Sequence, residues 1–100
     1  MAKRKINWTE KANFERKEIL EYWINRNKSK SYSLKLNKLF IEAMKQVAEF
    51  PRIGRKTDFE KNVCLKIVRD YLLFYEYDSK QIKVLSVWDG NRDEIKLKIK

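Results

Sequence analysis

A single proline divides this chain into two stretches with different hydrophobic periods, and that division constrains the fold more than any other feature. Before Pro51, the residues Tyr32, Leu36, Leu39, Phe40, Ala43, Met44 and Val47 fall at i, i+4, i+7, i+8, i+11, i+12 and i+15. They lie on one stripe of a helix. The opposite face carries Lys35, Lys38, Glu42 and Lys45, and Ser31 is placed to cap the helix start. Pro51 ends the helix, and Pro51-Arg52-Ile53-Gly54-Arg55-Lys56 reads as a tight basic loop. Beyond it, Asn62–Val68, Tyr71–Tyr77 and Ile82–Trp88 are dense in Val, Ile, Leu, Phe and Tyr, the composition of strands. Arg69-Asp70 and Asp78-Ser79-Lys80 are hairpin-length links, so the three strands should form an antiparallel meander.

The first third of the chain supplies two more elements. Lys3 to Trp8 alternates, with Arg4, Ile6 and Trp8 on one side, as a short half-buried strand does. Thr9 offers a hydroxyl cap to a helix over Glu10–Asn25, and Glu10 sits in the first turn where the helix dipole favours a carboxylate. The polar Asn27-Lys28-Ser29-Lys30 breaks the pattern, so the two helices should pack as an antiparallel hairpin. After the turn Asp89-Gly90-Asn91, the residues Ile95, Leu97 and Ile99 alternate with lysines, as a last strand or an exposed tail would. The expected order is β-α-α-β-β-β, an α+β fold with the helix hairpin on one face of an antiparallel sheet. At 100 residues the chain has the length of one domain, taken as residues 1–100.

Charge and missing residue types narrow the function. Lys and Arg total 24 against 14 Asp and Glu, a net charge of +10. Such an excess points to a polyanionic partner, whether nucleic acid, an acidic protein or anionic lipid. With no His, Ser-His and Cys-His nucleophile pairs and His metal sites are excluded. The single Cys64 allows neither an internal disulfide nor a Cys-rich zinc site, and between Val63 and Leu65 it reads as a small buried hydrophobe. Two glycines, Gly54 and Gly90, are too few for a phosphate-cradling loop. No metal and no cofactor is expected. No apolar run approaches the length of a membrane span, so a membrane partner is not expected and a cytoplasmic protein is the simplest reading.

Several local patterns, in order along nearly the whole chain, resemble the RelE/ParE toxin superfamily. Ile6-Asn7-Trp8-Thr9-Glu10-Lys11-Ala12 looks like its first strand running into its first helix, and Glu21-Tyr22-Trp23-Ile24 fits the end of that helix. Phe50-Pro51-Arg52-Ile53-Gly54-Arg55 is similar to the family's "P-x-x-G-R" loop. Asp70 to Tyr77 fits the aromatic third strand, and Ile82 to Asp89 followed by Asn91-Arg92-Asp93 fits the last strand with its trailing arginine. The resemblance implies the toxin of a bacterial type II toxin–antitoxin pair, neutralised by a cognate antitoxin. RelE-like members cut mRNA in the ribosomal A site without metal, using basic residues and often a Tyr or His. ParE-like members poison DNA gyrase and are not nucleases.

Under the nuclease reading, the resemblance assigns Arg92 the phosphate-contacting role, with Lys66 and Tyr75 as the further catalytic candidates. Cleavage through a ribose 2′-hydroxyl needs a base, an acid and cations on the phosphate. Arginine stays protonated and can only stabilise charge, so Lys or Tyr must move the protons. A Lys inside an apolar strand is more often solvent-facing, and a Tyr stripe at period two (Tyr71, Tyr75, Tyr77) more often packs than relays protons. Arg52, Arg55, Lys56, Lys61, Lys66 and Arg69 oppose Asp58 and Glu60 for a net +4 over residues 52–69. Arg52, Arg55, Lys56, Lys61 and Arg69 are therefore candidates for binding nucleic acid or another target.

Two positions depart from the nuclease pattern. Leu72 stands where RelE-like nucleases carry an arginine, and no aromatic follows Arg92 in Glu94-Ile95-Lys96-Leu97-Lys98. The expectation is therefore a ParE-like, non-catalytic toxin with gyrase as target. The alternatives are a RelE-like mRNA interferase acting on ribosome-bound mRNA, and a non-toxic basic nucleic-acid-binding module. In either toxin the partner is an acidic antitoxin, for which Ile95, Leu97 and Ile99 form a docking edge.

Overall fold

The computed structural model describes residues 4–57 and 62–90. The elements are β1 (Lys5–Trp8), α1 (Glu10–Asn27), α2 (Ser31–Glu49), a single 3₁₀ turn (Pro51–Ile53), β2 (Arg55–Lys56), β3 (Cys64–Val68), β4 (Tyr71–Tyr77) and β5 (Gln81–Asp89). The strands form one sheet in the order β1-β5-β4-β3-β2, with the helix hairpin against one face. The α+β class and the meander β3-β4-β5 stand as expected.

The structure departs from the sequence expectation in three places. The basic segment expected as a loop contains β2, where Arg55 and Lys56 pair antiparallel with Leu65 and Cys64. The sheet is not wholly antiparallel: β1 runs parallel to β5, with Lys5 opposite Gln81 and Trp8 opposite Val84. No tight turn joins those two strands, and the long connection between them leaves parallel pairing open. The second helix is capped by Lys30 without a side-chain bond rather than by Ser31. Ser29 Oγ accepts from the Ser31 amide at 3.2 Å, so the accepting serine stands two residues earlier than expected.

Local chemistry explains the element boundaries. Thr9 Oγ1 accepts from the Ala12 amide at 3.1 Å, which caps α1, and donates to the Leu85 carbonyl at 3.2 Å, which ties the cap to the sheet. Lys28 takes a left-handed φ of 55° where α1 ends. Ser33 Oγ donates to the Leu20 carbonyl at 2.5 Å, and the Trp23 and Tyr32 rings meet at 4.9 Å, so the helices run antiparallel. The α2 stripe is buried as its spacing requires: Leu36, Phe40, Met44 and Val47 have no exposed surface. They pack on Leu73, Tyr75, Ile82 and Val84 of the sheet.

A bulge changes which side β5 presents. Tyr75 pairs with Val84 while Phe74 pairs with Ser86, which leaves Leu85 as the extra residue. Ile82, Val84 and Val87 thereby face the helices, and Leu85 joins Val63 and Phe74 in a second apolar cluster on the other face. Beyond Trp8 the edge of β5 has no strand beside it in the described fold, and α1 supplies the missing acceptor. Glu15 Oε1 accepts from the Val87 amide at 3.1 Å and from Ser86 Oγ at 2.8 Å.

Candidate functional site

Register decides where each candidate side chain lies. Lys66 pairs with Leu73 and shares its face of β3 with Cys64 and Val68; Leu73, Cys64 and Val68 all belong to the helix-side core, so Lys66 is on the helix-facing side and half-buried. Lys56 pairs with Cys64 and shares that side, whereas Arg55 pairs with Leu65 and points with it to the opposite face. Arg69 forms the β3–β4 turn with a φ of 57°, and Arg52 is exposed on the 3₁₀ turn. The cations of this stretch are thus spread over two faces and a turn rather than gathered at one point. Arg92, Lys61 and the proposed docking edge Ile95, Leu97 and Ile99 lie outside the described residues.

Tyr75 lies in the core. It has no exposed surface, and its hydroxyl donates to the Pro51 carbonyl at 2.7 Å. The Gly54 backbone and the Cys64 thiol also contact that hydroxyl, and burial, reinforced by Cys64, pushes its pKa up to about 12. A group so enclosed can neither stack on a base nor exchange a proton with a bound substrate without first leaving this position. Burial likewise pushes the Cys64 thiol above its ordinary value. Tyr75 therefore locks the "P-x-x-G-R" segment onto the sheet.

The centre of the sheet face away from the helices is apolar. Val63, Phe74 and Leu85 are buried there, with Leu65, Leu72 and Trp88 packed against them. Ile67, paired with Leu72, is 47% exposed on that side. Leu72 lies opposite Trp88, so the position of the nucleases' arginine is the middle of a hydrocarbon row.

Two cavities were not foreseen. One, of about 640 Å³, is bordered by Glu18, Tyr22, Trp23, Arg26, Asp70 and Asp89 around the Tyr71 ring. Trp23 Nε1 donates to the Tyr71 hydroxyl at 2.7 Å; burial, with nearby Asp89 and Asp70, raises the Tyr71 pKa. The other, of about 460 Å³, lies between Arg4 at the start of β1 and the Phe50–Ile53 turn. No periodic signal marks either, because each joins residues far apart in the chain. In the sequence, Phe50 close to Arg52 is a cue to the second, and it falls within the loop motif.

The described fold is a two-helix hairpin on a mostly antiparallel five-stranded sheet. It superposes on a solved structure described as "Chromosomal ParDE TA system from P. aeruginosa", with a TM-score of 0.75 at 17% identity over 86% of this chain and 95% of that one. The profile of the family described as "ParE toxin of type II toxin-antitoxin system, parDE" matches residues 6–94, and the chain belongs to that family. No curated protein matches the sequence. Among the described residues, no helix is long and apolar enough to cross a membrane.

Proposed function

We propose that this chain arrests growth by binding DNA gyrase and performs no chemistry of its own, and that an acidic antitoxin neutralises it. The observation that carries this reading is the apolar row of Leu72 and Trp88 with the exposed Ile67 beside it, on the sheet face away from the helices. Cutting RNA there would need groups that move protons. Of the described candidates, Tyr75 is enclosed in the core and Lys66 is on the helix-facing side. An apolar face with cations at its margin suits a protein partner instead. The net charge of +10 suits an acidic antitoxin, with Ile95, Leu97 and Ile99 proposed as part of its docking edge.

The test adds the purified protein to gyrase and relaxed plasmid, and in parallel maps mRNA 5′ ends after brief induction in bacteria. Loss of supercoiling with unchanged mRNA ends is the expected result. Fresh ends inside translated codons that vanish with Arg92→Ala would replace this reading with the mRNA interferase built on Arg92 and Lys66. Salt-sensitive nucleic-acid binding with neither effect would mark a basic binding module without toxicity.

A further inference from the structure

We propose that the cavity between Arg4 and the Phe50–Ile53 turn binds one unpaired nucleotide of a single-stranded nucleic acid, with its base on Phe50 and its phosphates on Arg4 and Arg52. This inference is independent of the choice of growth target.

Its starting point is an exposed aromatic ring on a fixed backbone. Phe50 is 63% exposed, yet its amide donates to the Gln46 carbonyl at 2.9 Å and its carbonyl accepts from the Ile53 amide at 3.0 Å. The ring is thus presented from a pinned position beside Ile53, itself 46% exposed. Across the cavity, Arg4 Nε donates to the Asp78 carbonyl at 2.6 Å, and its guanidinium lies 5.8 Å from the centre of the Tyr77 ring. That bond uses one of the guanidinium's five donors and holds the group in place, and the same charge helps to lower the pKa of the Asp78 carboxylate. Arg52 is exposed at the rim.

Aromatic rings interleaved with fixed arginines are how proteins hold single strands, since every base has a stacking face and every link carries a phosphate. A volume of about 460 Å³ falls in the range of small-molecule sites and accommodates a base with its sugar. The carbonyl end of α2 borders the same cavity and opposes an anion placed at its centre. It favours a ligand that is flat and uncharged in the middle and anionic at its edges. An acidic peptide, which carries its charge on the same side chains that would fill the cavity, fits this arrangement less well. A duplex keeps its bases stacked and cannot offer one to Phe50.

The experiment is fluorescence anisotropy of a labelled short oligothymidylate with the full chain, repeated with a duplex of equal length and a polyglutamate peptide. Phe50→Ala should weaken oligothymidylate binding about tenfold, as expected for one lost base–aromatic stack, and Phe50→Trp should restore it. Arg52→Gln should lower the salt slope by about one. Phe50 is mostly exposed, so an unchanged unfolding midpoint should accompany the loss. Equal binding by Phe50→Ala and the parent would overturn the proposal. So would a duplex bound as tightly as the single strand, or polyglutamate binding that depends on Phe50 when oligothymidylate binding does not.

Discussion

Replacing Gly54 with Ala should destabilise the protein through its contact with Tyr75, and the cost is open to direct measurement. Gly54 has φ −78° and ψ 165°, a conformation any residue adopts, so the substitution adds no backbone strain. What it adds is a methyl group in occupied space. A Cβ there would meet the Tyr75 hydroxyl in a clash, the Leu65 carbonyl oxygen at 2.7 Å and Tyr75 Cε1 at 3.0 Å. Tyr75 has no exposed surface to move into, and the Leu65 oxygen is backbone within β3. Overpacking a filled core costs about 1–3 kcal/mol, and losing the bond from Tyr75 to Pro51 adds about 1 kcal/mol. A total of ~3 kcal/mol is a large share of the stability of a domain this size and should lower Tm by about 12–24 °C. Circular dichroism melts of Gly54→Ala and the parent would measure it. Repeating the pair on a Tyr75→Phe background removes the hydroxyl but leaves the Leu65 contact. There the cost should fall to about half, a coupling of ~1.5 kcal/mol. A Tm change below about 3 °C, or the same cost in both backgrounds, would refute the argument that close approach explains this glycine.

Alkaline pH should weaken the fold. The Tyr75 pKa rises from 10.0 to about 12, so its stabilising share is full below pH 10 and is lost as the pH climbs towards 12. The loss is about 2 kcal/mol by the upper end. Tyr71 acts in the same direction, and urea titrations across this range should show a shallower decline for Tyr75→Phe. Glu15→Ala should cost about 2–3 kcal/mol, because it strands the Val87 amide and the buried Ser86 hydroxyl; a change under about 0.5 kcal/mol in urea unfolding would show that water replaces the carboxylate. Thr9→Ala should cost about 1–2 kcal/mol by uncapping α1 and releasing Leu85, read from the same titration.

How much could be read from the chain follows from how locally each feature is encoded. The α2 stripe, the Thr9 cap and the two hairpins are written in neighbouring residues, and all were legible. The bulge was half visible: Ile82 and Val84 alternate, but Val87 falls on the odd step, a parity break that only an extra residue at Leu85 reconciles. The β2 ladder and the parallel β1–β5 pairing depend on partners that pattern alone does not choose. Lys66 illustrates the same limit at the candidate site. Its strand was evident, but its side of the sheet was set by Cys64 and Val68 packing under α2. Tyr75 could be assigned to packing, although its bond to Pro51 joins residues too far apart in the chain for a pattern to predict.

Because Lys5 pairs with Gln81 and Trp8 with Val84, the sheet closes only when the two ends of the described fold meet. A nascent chain carries β1 out of the ribosome first and must wait for β5, the last described strand, before β1 gains its ladder. Any product halted before Gln81 has its apolar Ile6 and Trp8 without that strand, and such partly assembled chains are prone to aggregate and to be degraded. For a member of this toxin family, interrupted translation therefore gives fragments without the finished sheet.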